Sequence, residues 1–360
     1  MTRGQIEPSE IDIKFELKDS KKVTILHISD LHFTSDTDIK RVPISALVAD
    51  VLKFKKDIDL IICTGDLTHN PLTEAFSDDH HKSSMKKVRS FLESLCTLCK
   101  LDPRKRLFVV PGNHDYRIQG LFRRKASVAR FHEYFDVYFR NCFVPEHELL
   151  IYSFDSNTAD AALNFATGLI DQDDLVKFQD KMHLWSEAEP EKFASATKIV
   201  LLHHHPMPIS ETETRAVIDG EEFLLLKNAG TFMKEMIKER IDLILHGHKH
   251  FIGYSQARFP LVNGFHDLGV VAAGSAGQVY NGIYSYNLVT VPKDSPIGSS
   301  ARARLGPGSG PPILTILPEP QAATDRKFRG LRASDSVLFP LDVYPQFALY
   351  SSANLGWGSS

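Results

Sequence analysis

Five short apolar runs in this chain each stop at residues that can bind metal ions. Such runs are typical of strands buried on both faces of a sheet. The residues that follow them are Asp30 and His32, Asp66, Asn113 to Asp115, His203 to His205, and His246 to His250. One Asn-His-Asp triplet could simply cap a helix, but ligands of α/β proteins bind where the carboxyl ends of strands meet. Repetition at five strand ends therefore predicts one shared site.

Amphipathic helical patterns lie between most of these runs. Apolar residues from Ile44 to Leu52 fall at helical spacing, and further helices are predicted over about 83–100 and 122–139. Strands that alternate with helices in this way form βαβ units, so the fold class is α/β. Beyond His250, three runs (251–257, 270–273 and 283–291) have no helix between them, and we expect them to complete a second sheet.

The chain divides into four parts by composition. At 360 residues and 42% hydrophobic content it can bury a sizeable core. Residues 21–292 form the predicted catalytic domain, preceded by a lead-in, 1–20, in which residues 11–17 alternate as in an edge strand. Residues 293–312 are rich in Pro, Gly and Ser and are predicted to be a linker. The last segment, 313–360, is a C-terminal extension of unassigned role that could mediate self-association.

Charge and hydropathy limit the partners that the sequence indicates, although nucleic acid stays possible. A net charge of −3 gives no general attraction for nucleic acid or membrane surfaces, so nucleic acid is not indicated as a substrate. The first twenty residues lack the apolar core of a signal peptide, and no run approaches the length of a membrane span. A cytoplasmic location is the expectation. The four cysteines suggest core packing rather than a disulfide framework.

The candidate ligands define the chemistry. Aspartate, histidine and asparagine without thiolates suit manganese, zinc or iron, and there are more donors than one tetrahedral ion accepts. Two ions are therefore implied. Paired ions can generate a hydroxide near neutral pH and stabilise the attacking and leaving oxygens at phosphorus. The sequence thus predicts hydrolysis of a phosphoester.

The five motifs, in this order, resemble those of the calcineurin-like metallophosphoesterase superfamily. They are DxH, GD, GNH followed by Asp or Glu, a His that precedes xP, and GHxH, and they span residues 30 to 250. The Asp155-Ser156 pair followed by Gly168 is most similar to the cyclic-nucleotide phosphodiesterase-like branch. The resemblance implies a four-layer αββα sandwich of two mixed β-sheets flanked by helices. It also implies a phosphodiesterase that uses metal-bound hydroxide as its nucleophile.

The same resemblance assigns the ligands of two ions, each manganese, iron or zinc. One ion would be held by Asp30, His32 and His250, and the other by Asn113, His204 and His248. Asp66 would bridge both. His204 is preferred to His203 and His205 because the family motif places the ligand two residues before the proline.

Four further residues receive roles from their positions. His114 resembles the family histidine that acts as general acid, and Asp115 would orient it. His205 would face the cleft beside the substrate. Arg117 could meet the charge of the substrate, although the basic run that it precedes is typical of a solvated helix face.

Three functions remain open from the sequence. A small phosphodiester is the favoured substrate, because no arginine lies within the five motifs to bind a dianionic monoester. A phosphomonoesterase or nuclease of the same fold is the first alternative. The second is a catalytically silent binding scaffold, like the retromer subunit that resembles this family. An intact set of candidate ligands counts against the scaffold.

Overall fold

A computed structural model describes residues 15–19, 21–36, 42–69, 78–116, 124–157, 167–207, 226–250, 252–261, 264–277, 284–292 and 300–303. The strands are β1 (Lys22–Ile28), β2 (Leu60–Cys63), β3 (Leu107–Val109), β4 (Cys142–Val144), β5 (Leu149–Ser153), β6 (Thr197–Leu201), β7 (Leu243–His246), β8 (Gly253–Leu261), β9 (Gly264–Ala272), β10 (Asn287–Pro292) and β11 (Ser300–Ala303). The helices are α1 (Val42–Phe54), α2 (Asp78–Leu98), α3 (Pro103–Arg106), α4 (Arg124–Phe135), α5 (Gln172–Ala188), α6 (Pro190–Ser195) and α7 (Ala229–Lys238).

These strands form two mixed sheets. The first has the order β11-β10-β1-β2-β3, in which β1, β2 and β3 are parallel and β10 and β11 are antiparallel additions. The second has the order β4-β5-β6-β7-β9-β8, with parallel central strands and an antiparallel strand at each edge. The strands that carry the five motifs therefore run side by side, three in one sheet and two in the other.

Side chains alternate along each strand between two apolar layers. In β1, Leu26 packs with helices α1, α2 and α4, whereas Ile25 packs in the layer between the sheets. In β6, Leu201 lies in that same central layer, and Val200 packs against α5, α6 and α7. The period of two places one face of each sheet on helices and the other face on the opposite sheet. This confirms the predicted αββα sandwich.

Three sequence expectations differ from the structure. β10 pairs with β1 in the first sheet and does not complete the second one. β11 lies within the segment 293–312 that was predicted to be a linker, and it pairs with β10. The described part of the lead-in, 15–19, contains no strand, although Phe15 is buried and the Lys18 amide donates to the Asp59 carboxylate at 2.8 Å. The extension 313–360 lies outside the described residues.

Two expectations from composition can be compared directly with the structure. All four cysteines are free and buried, which confirms that they pack in the core. Among the described residues, no helix has the length and apolar character needed to cross a membrane.

Candidate metal centre

Backbone hydrogen bonds join the loops that follow the strands of both sheets. The amide of Asp30 donates to the carbonyl of Gly65 at 3.0 Å, and the amide of His32 donates to the carbonyl of Asp66 at 3.0 Å. In the second sheet, the Gly247 amide donates to the carbonyl of His203 at 3.1 Å. Each candidate ligand therefore sits on a loop that is fixed to the neighbouring candidate's loop.

The backbone is strained at five of the predicted ligands. Among the described residues, eight other than glycine have positive φ, and five of them are Asp30 (54°), His32 (48°), Asp66 (50°), His248 (81°) and His250 (57°). L-residues rarely adopt this conformation, and clusters of such residues are typical of functional sites. The strain is held in place by the strands and hydrogen bonds around it.

Two glycines allow the loops to approach this closely. A Cβ atom on Gly112 would lie 2.1 Å from the amide nitrogen of Asp66 and 2.2 Å from its carboxylate. A Cβ atom on Gly247 would lie 1.9 Å from the hydroxyl of Ser29 and 2.7 Å from the carboxylate of Asp30. All four distances are much shorter than van der Waals contact, so any residue other than glycine at either position would displace a loop that carries a ligand.

One group of donors consists of Asp30, His32, Asp66 and His250, whose ligand atoms all lie within 4.8 Å of one another. Nε2 of His32 is 2.9 Å from Nε2 of His250. Nε2 of His250 is in turn 3.2 Å from a carboxylate oxygen of Asp30. The structure thus brings together all the residues expected at the first ion.

A second group consists of Asp66, His203 and His248, again within 4.8 Å. The side-chain oxygen of Asn113 lies 3.1 Å from Nε2 of His203 and 3.1 Å from Nδ1 of His248. Nε2 of His203 is also 3.4 Å from the carboxylate oxygen Oδ1 of Asp66. Asp66 therefore belongs to both groups, as a bridging ligand would.

His203 takes the place that the sequence analysis gave to His204. Nδ1 of His203 donates to the carbonyl of Thr64 at 2.7 Å, which leaves Nε2 available beside Asn113. Nδ1 of His204 bonds the hydroxyl of Ser156 at 2.9 Å, and His204 belongs to neither donor group. The geometry therefore places His203, rather than His204, in the second donor group.

Among the described residues, the ion-pair partners of the carboxylates of the centre are histidines. Burial alone would raise the pKa of Asp66, but the charges of His203 and His114 hold it well below the usual value. Burial alone would lower the pKa of His203, but Asp66 raises it to about 9. The carboxylates thus favour a positive charge at His203, and a bound metal ion would supply it in place of a proton.

These residues fit two transition-metal ions. Ions bound at about 2.0–2.2 Å have neighbouring ligand atoms about 3 Å apart, and the shortest separations in the two donor groups, 2.9 to 3.4 Å, match this value. The donors are imidazole nitrogens and carboxylate or amide oxygens, which suit manganese, iron or zinc. Cys63 is buried on β2, where desolvation raises the pKa of its thiol well above the usual value.

His114 and Asp115 differ in their relation to the centre. The amide of His114 donates to the Asp66 carboxylate at 2.8 Å, and its side chain is 19% exposed, with Nε2 at 3.9 Å from Asp66. Asp115 is fully buried and accepts hydrogen bonds from the amides of Leu67, Thr68 and Gly112. It makes no hydrogen bond to the imidazole of His114. Asp115 therefore fixes two loops together, and its role in orienting His114 stays a prediction.

The two predicted substrate contacts have different outcomes. His205 was expected to face the cleft, but it is fully buried, with its ring 5.8 Å from that of His246 and 6.0 Å from that of His248. Its carbonyl accepts a hydrogen bond from the amide of Leu226 at 3.1 Å, so Leu226 lies next to it. Arg117 lies outside the described residues.

Two residues at the centre were not predicted there. His69 packs its ring 5.6 Å from that of His32 and 5.2 Å from that of His114. The hydroxyl of Ser156 accepts the amides of His203 and His204 at 3.3 and 3.2 Å, which fixes the turn that carries them. His69 lies just after the Gly65-Asp66 motif. Ser156 belongs to the Asp155-Ser156 pair that resembles the cyclic-nucleotide phosphodiesterase-like branch.

The sequence has recognisable relatives. The sequence profile of the calcineurin-like phosphoesterase family matches residues 23–251. A protein of Coxiella burnetii named as a probable cyclic nucleotide phosphodiesterase is 26% identical over 251 residues, which cover 66% of this chain and 81% of that protein.

Two solved structures are also similar. A dimetal phosphatase from Danio rerio matches with a TM-score of 0.47 and 10% identity, over 82% of this chain and 99% of that one. The anchor in the inner membrane complex of Plasmodium matches with a TM-score of 0.43 and 9% identity, over 82% of this chain and 89% of that one.

The family profile begins within the first strand and ends just after the last ligand motif, and it covers well over half of the chain. Within that span the two mixed sheets deliver all five motifs to one place. The chain therefore belongs to the calcineurin-like phosphoesterase family.

Proposed function

We propose that this protein is a dinuclear metal-dependent phosphodiesterase. The observation that carries the proposal is the position of Asp66, which belongs to both groups of metal donors. A carboxylate shared in this way holds two cations close together, as two-metal phosphoesterases require.

Each ion has its own set of residues. Asp30, His32 and His250 would hold the first ion, Asn113, His203 and His248 the second, and Asp66 both. When bound, the pair would supply a hydroxide nucleophile near neutral pH and neutralise charge on the phosphoryl oxygens. Manganese, iron and zinc all suit these donors.

His114 would complete the reaction as general acid. In the hydrolysis, an oxygen from water bonds to phosphorus, one ester P–O bond breaks, and the leaving oxygen takes a proton from the imidazolium of His114. The products are a monoester and an alcohol. The partly exposed side chain of His114 next to Asp66 supports this role, because it is open to solvent and lies beside both donor groups.

A diester is favoured over a monoester for two reasons. A dianionic monoester is best bound by fixed cations such as arginine, yet in the described part of the chain Asp30 and Asp66 form ion pairs with histidines alone. The relative from Coxiella burnetii is also named as a probable cyclic nucleotide phosphodiesterase. A small phosphodiester is therefore the proposed substrate.

The experiment compares two chromogenic substrates at neutral to mildly alkaline pH with Mn²⁺. We expect bis-p-nitrophenyl phosphate to be hydrolysed with higher kcat/KM than p-nitrophenyl phosphate, and Asp66→Asn to lose both activity and bound metal. A reversed preference of about tenfold or more would indicate a phosphomonoesterase. Preferential cleavage of single-stranded nucleic acid would indicate a nuclease. Loaded protein with no activity on any of these would indicate a scaffold.

A further inference from the structure

His69 is held beside the metal centre by its backbone. Its amide donates to the carbonyl of Phe33 at 2.9 Å, and the preceding residue, Thr68, forms a parallel bridge with Phe33. Thr68 is fixed a second time, because Asp115 accepts hydrogen bonds from its amide at 2.9 Å and its hydroxyl at 3.2 Å. The position of His69 is thus determined by the same loops that carry the candidate ligands.

The ring of His69 forms one side of the centre together with His114. The two ring centroids are 5.2 Å apart with planes inclined by 31°, and the ring of His32 meets that of His69 edge-on. Ligand nitrogens of His32, His69 and His114 all lie within 4.8 Å of one another. His32 is buried, whereas His69 and His114 are only partly buried. Two imidazoles therefore lie where the centre opens toward solvent.

A third ion is a poor occupant for this trio. His32 already belongs to the first donor group, with Nε2 beside His250, Asp30 and Asp66, so a third ion would compete with the first for this side chain. The trio also contains no carboxylate to offset another positive charge next to the pair. An anion fits better, because imidazole N–H groups donate hydrogen bonds to phosphoryl oxygens.

Resting on the proposed function, we propose that His69 is a substrate-binding residue that donates a hydrogen bond to a non-bridging oxygen of the phosphoryl group. Two nitrogens within 4.8 Å of each other can each reach a different oxygen of one phosphoryl group at about 2.7–3.2 Å. His114 then serves the leaving oxygen, and His69 holds the group that is transferred to water. The proton given to the leaving oxygen still comes from His114.

The test uses His69→Ala, His69→Gln and a control, His183→Ala, on the full chain loaded with Mn²⁺. His183 lies on α5 with its side chain 72% exposed. For His69→Ala we expect both ions to be retained and the inhibition constant of inorganic phosphate to rise about 10- to 100-fold, the range of a hydrogen bond to a charged group. His69→Gln, which keeps an N–H donor, should recover part of that affinity. His183→Ala should match the wild type.

The substrates separate binding from proton donation. His69→Ala should lower kcat/KM by a similar factor for a diester with a p-nitrophenolate leaving group and for one with an alkoxide leaving group. Loss of metal in His69→Ala would show that His69 is a ligand, and unchanged phosphate affinity would show that it makes no contact. Either result overturns the inference, as does a loss that grows with a poorer leaving group. If phosphate binds through His69 but no diester is hydrolysed, the inference stands and the phosphodiesterase proposal fails.

Discussion

Three consecutive histidines follow β6, and they have three different environments. His203 lies beside Asp66 and Asn113, His204 bonds the hydroxyl of Ser156, and His205 is buried against His246. Residue types alone could not separate them, because the choice depends on the residue at which the strand ends. The other six candidate ligands were assigned from the resemblance to the family motifs, and the structure places them in or beside the two donor groups.

The histidine run supplies the first prediction. His203→Ala should reduce bound metal from two ions toward one, because it removes a nitrogen that faces Asp66 and Asn113. His204→Ala should retain two ions, since His204 lies in neither donor group. Metal analysis of the two purified variants measures the difference. The opposite result, with metal lost only in His204→Ala, would restore the assignment made from the family motif.

His114 supplies the second prediction. His114→Ala should keep both ions but lose about 10²–10⁴ in kcat on a diester with a poor leaving group, the usual range for general acid catalysis. The loss should be smaller with p-nitrophenolate, which departs without a proton. Metal content and kcat on the two diesters are the measurements. A defect explained entirely by metal loss would make His114 a ligand.

Roles that depend on side-chain direction were harder to predict than ligand types. Asp115 follows His114 directly, so an orienting carboxylate was a reasonable interpretation, but its oxygens accept three amides from the two adjoining loops. The sequence analysis gave His69 no role, although it lies just after Gly65-Asp66. His27 on β1 is buried and bonded to Thr64 and Asn287.

At the scale of elements, a strand leads into each of the five motifs, as the sequence predicted. Their continuous apolar runs are distinctive because each strand is covered on both faces, by helices and by the other sheet. The sheet to which β10 belongs was not predictable in the same way. Its apolar pattern fits either sheet. The choice follows from antiparallel pairing with β1, which lies far from β10 in the sequence.

The close approach of elements gives the third prediction. Gly112→Ala should destabilise the protein by about 1–3 kcal/mol or more and reduce metal binding, because the new methyl group would overlap the amide and the carboxylate of Asp66. The matched control is Gly230→Ala on α7, where a Cβ meets nothing within 4 Å. That variant should gain about 0.5–1 kcal/mol from lower backbone entropy in the unfolded chain.

Urea unfolding and metal analysis check this pair of variants together. Aggregation or poor soluble yield of Gly112→Ala counts as destabilisation. A Gly112→Ala protein as stable and as metal-rich as the wild type would show that the loops after β2 and β3 can separate without loss of the site.

At the scale of the whole molecule, the site is built where two sheets meet. The first sheet supplies Asp30, His32, Asp66 and Asn113, and the second supplies the histidines after β6 and β7. Neither sheet alone holds a complete donor group, since Asp30 needs His250 and Asp66 needs His203. Metal binding should therefore stabilise the packing of one sheet on the other, because a ligand that binds only the native state stabilises that state.

The last prediction concerns how much of the chain this two-sheet unit needs. Every candidate ligand precedes residue 251, but β10 and β11 extend the first sheet beyond it, so the boundary at residue 292 expected from composition cuts through paired strands. A chain that ends at residue 303 should keep two ions and kcat/KM within about twofold of the full chain. A chain that ends at residue 292 should also bind metal but melt at a lower temperature, because removing β11 leaves one side of β10 as an unpaired edge.

Metal analysis, kcat/KM on a diester and thermal melts of both truncations test these expectations. If the chain ending at residue 303 is soluble and metal-loaded but inactive, residues 304–360 contribute to the site. If the two truncations melt at the same temperature, β11 adds nothing to the stability of the sheet.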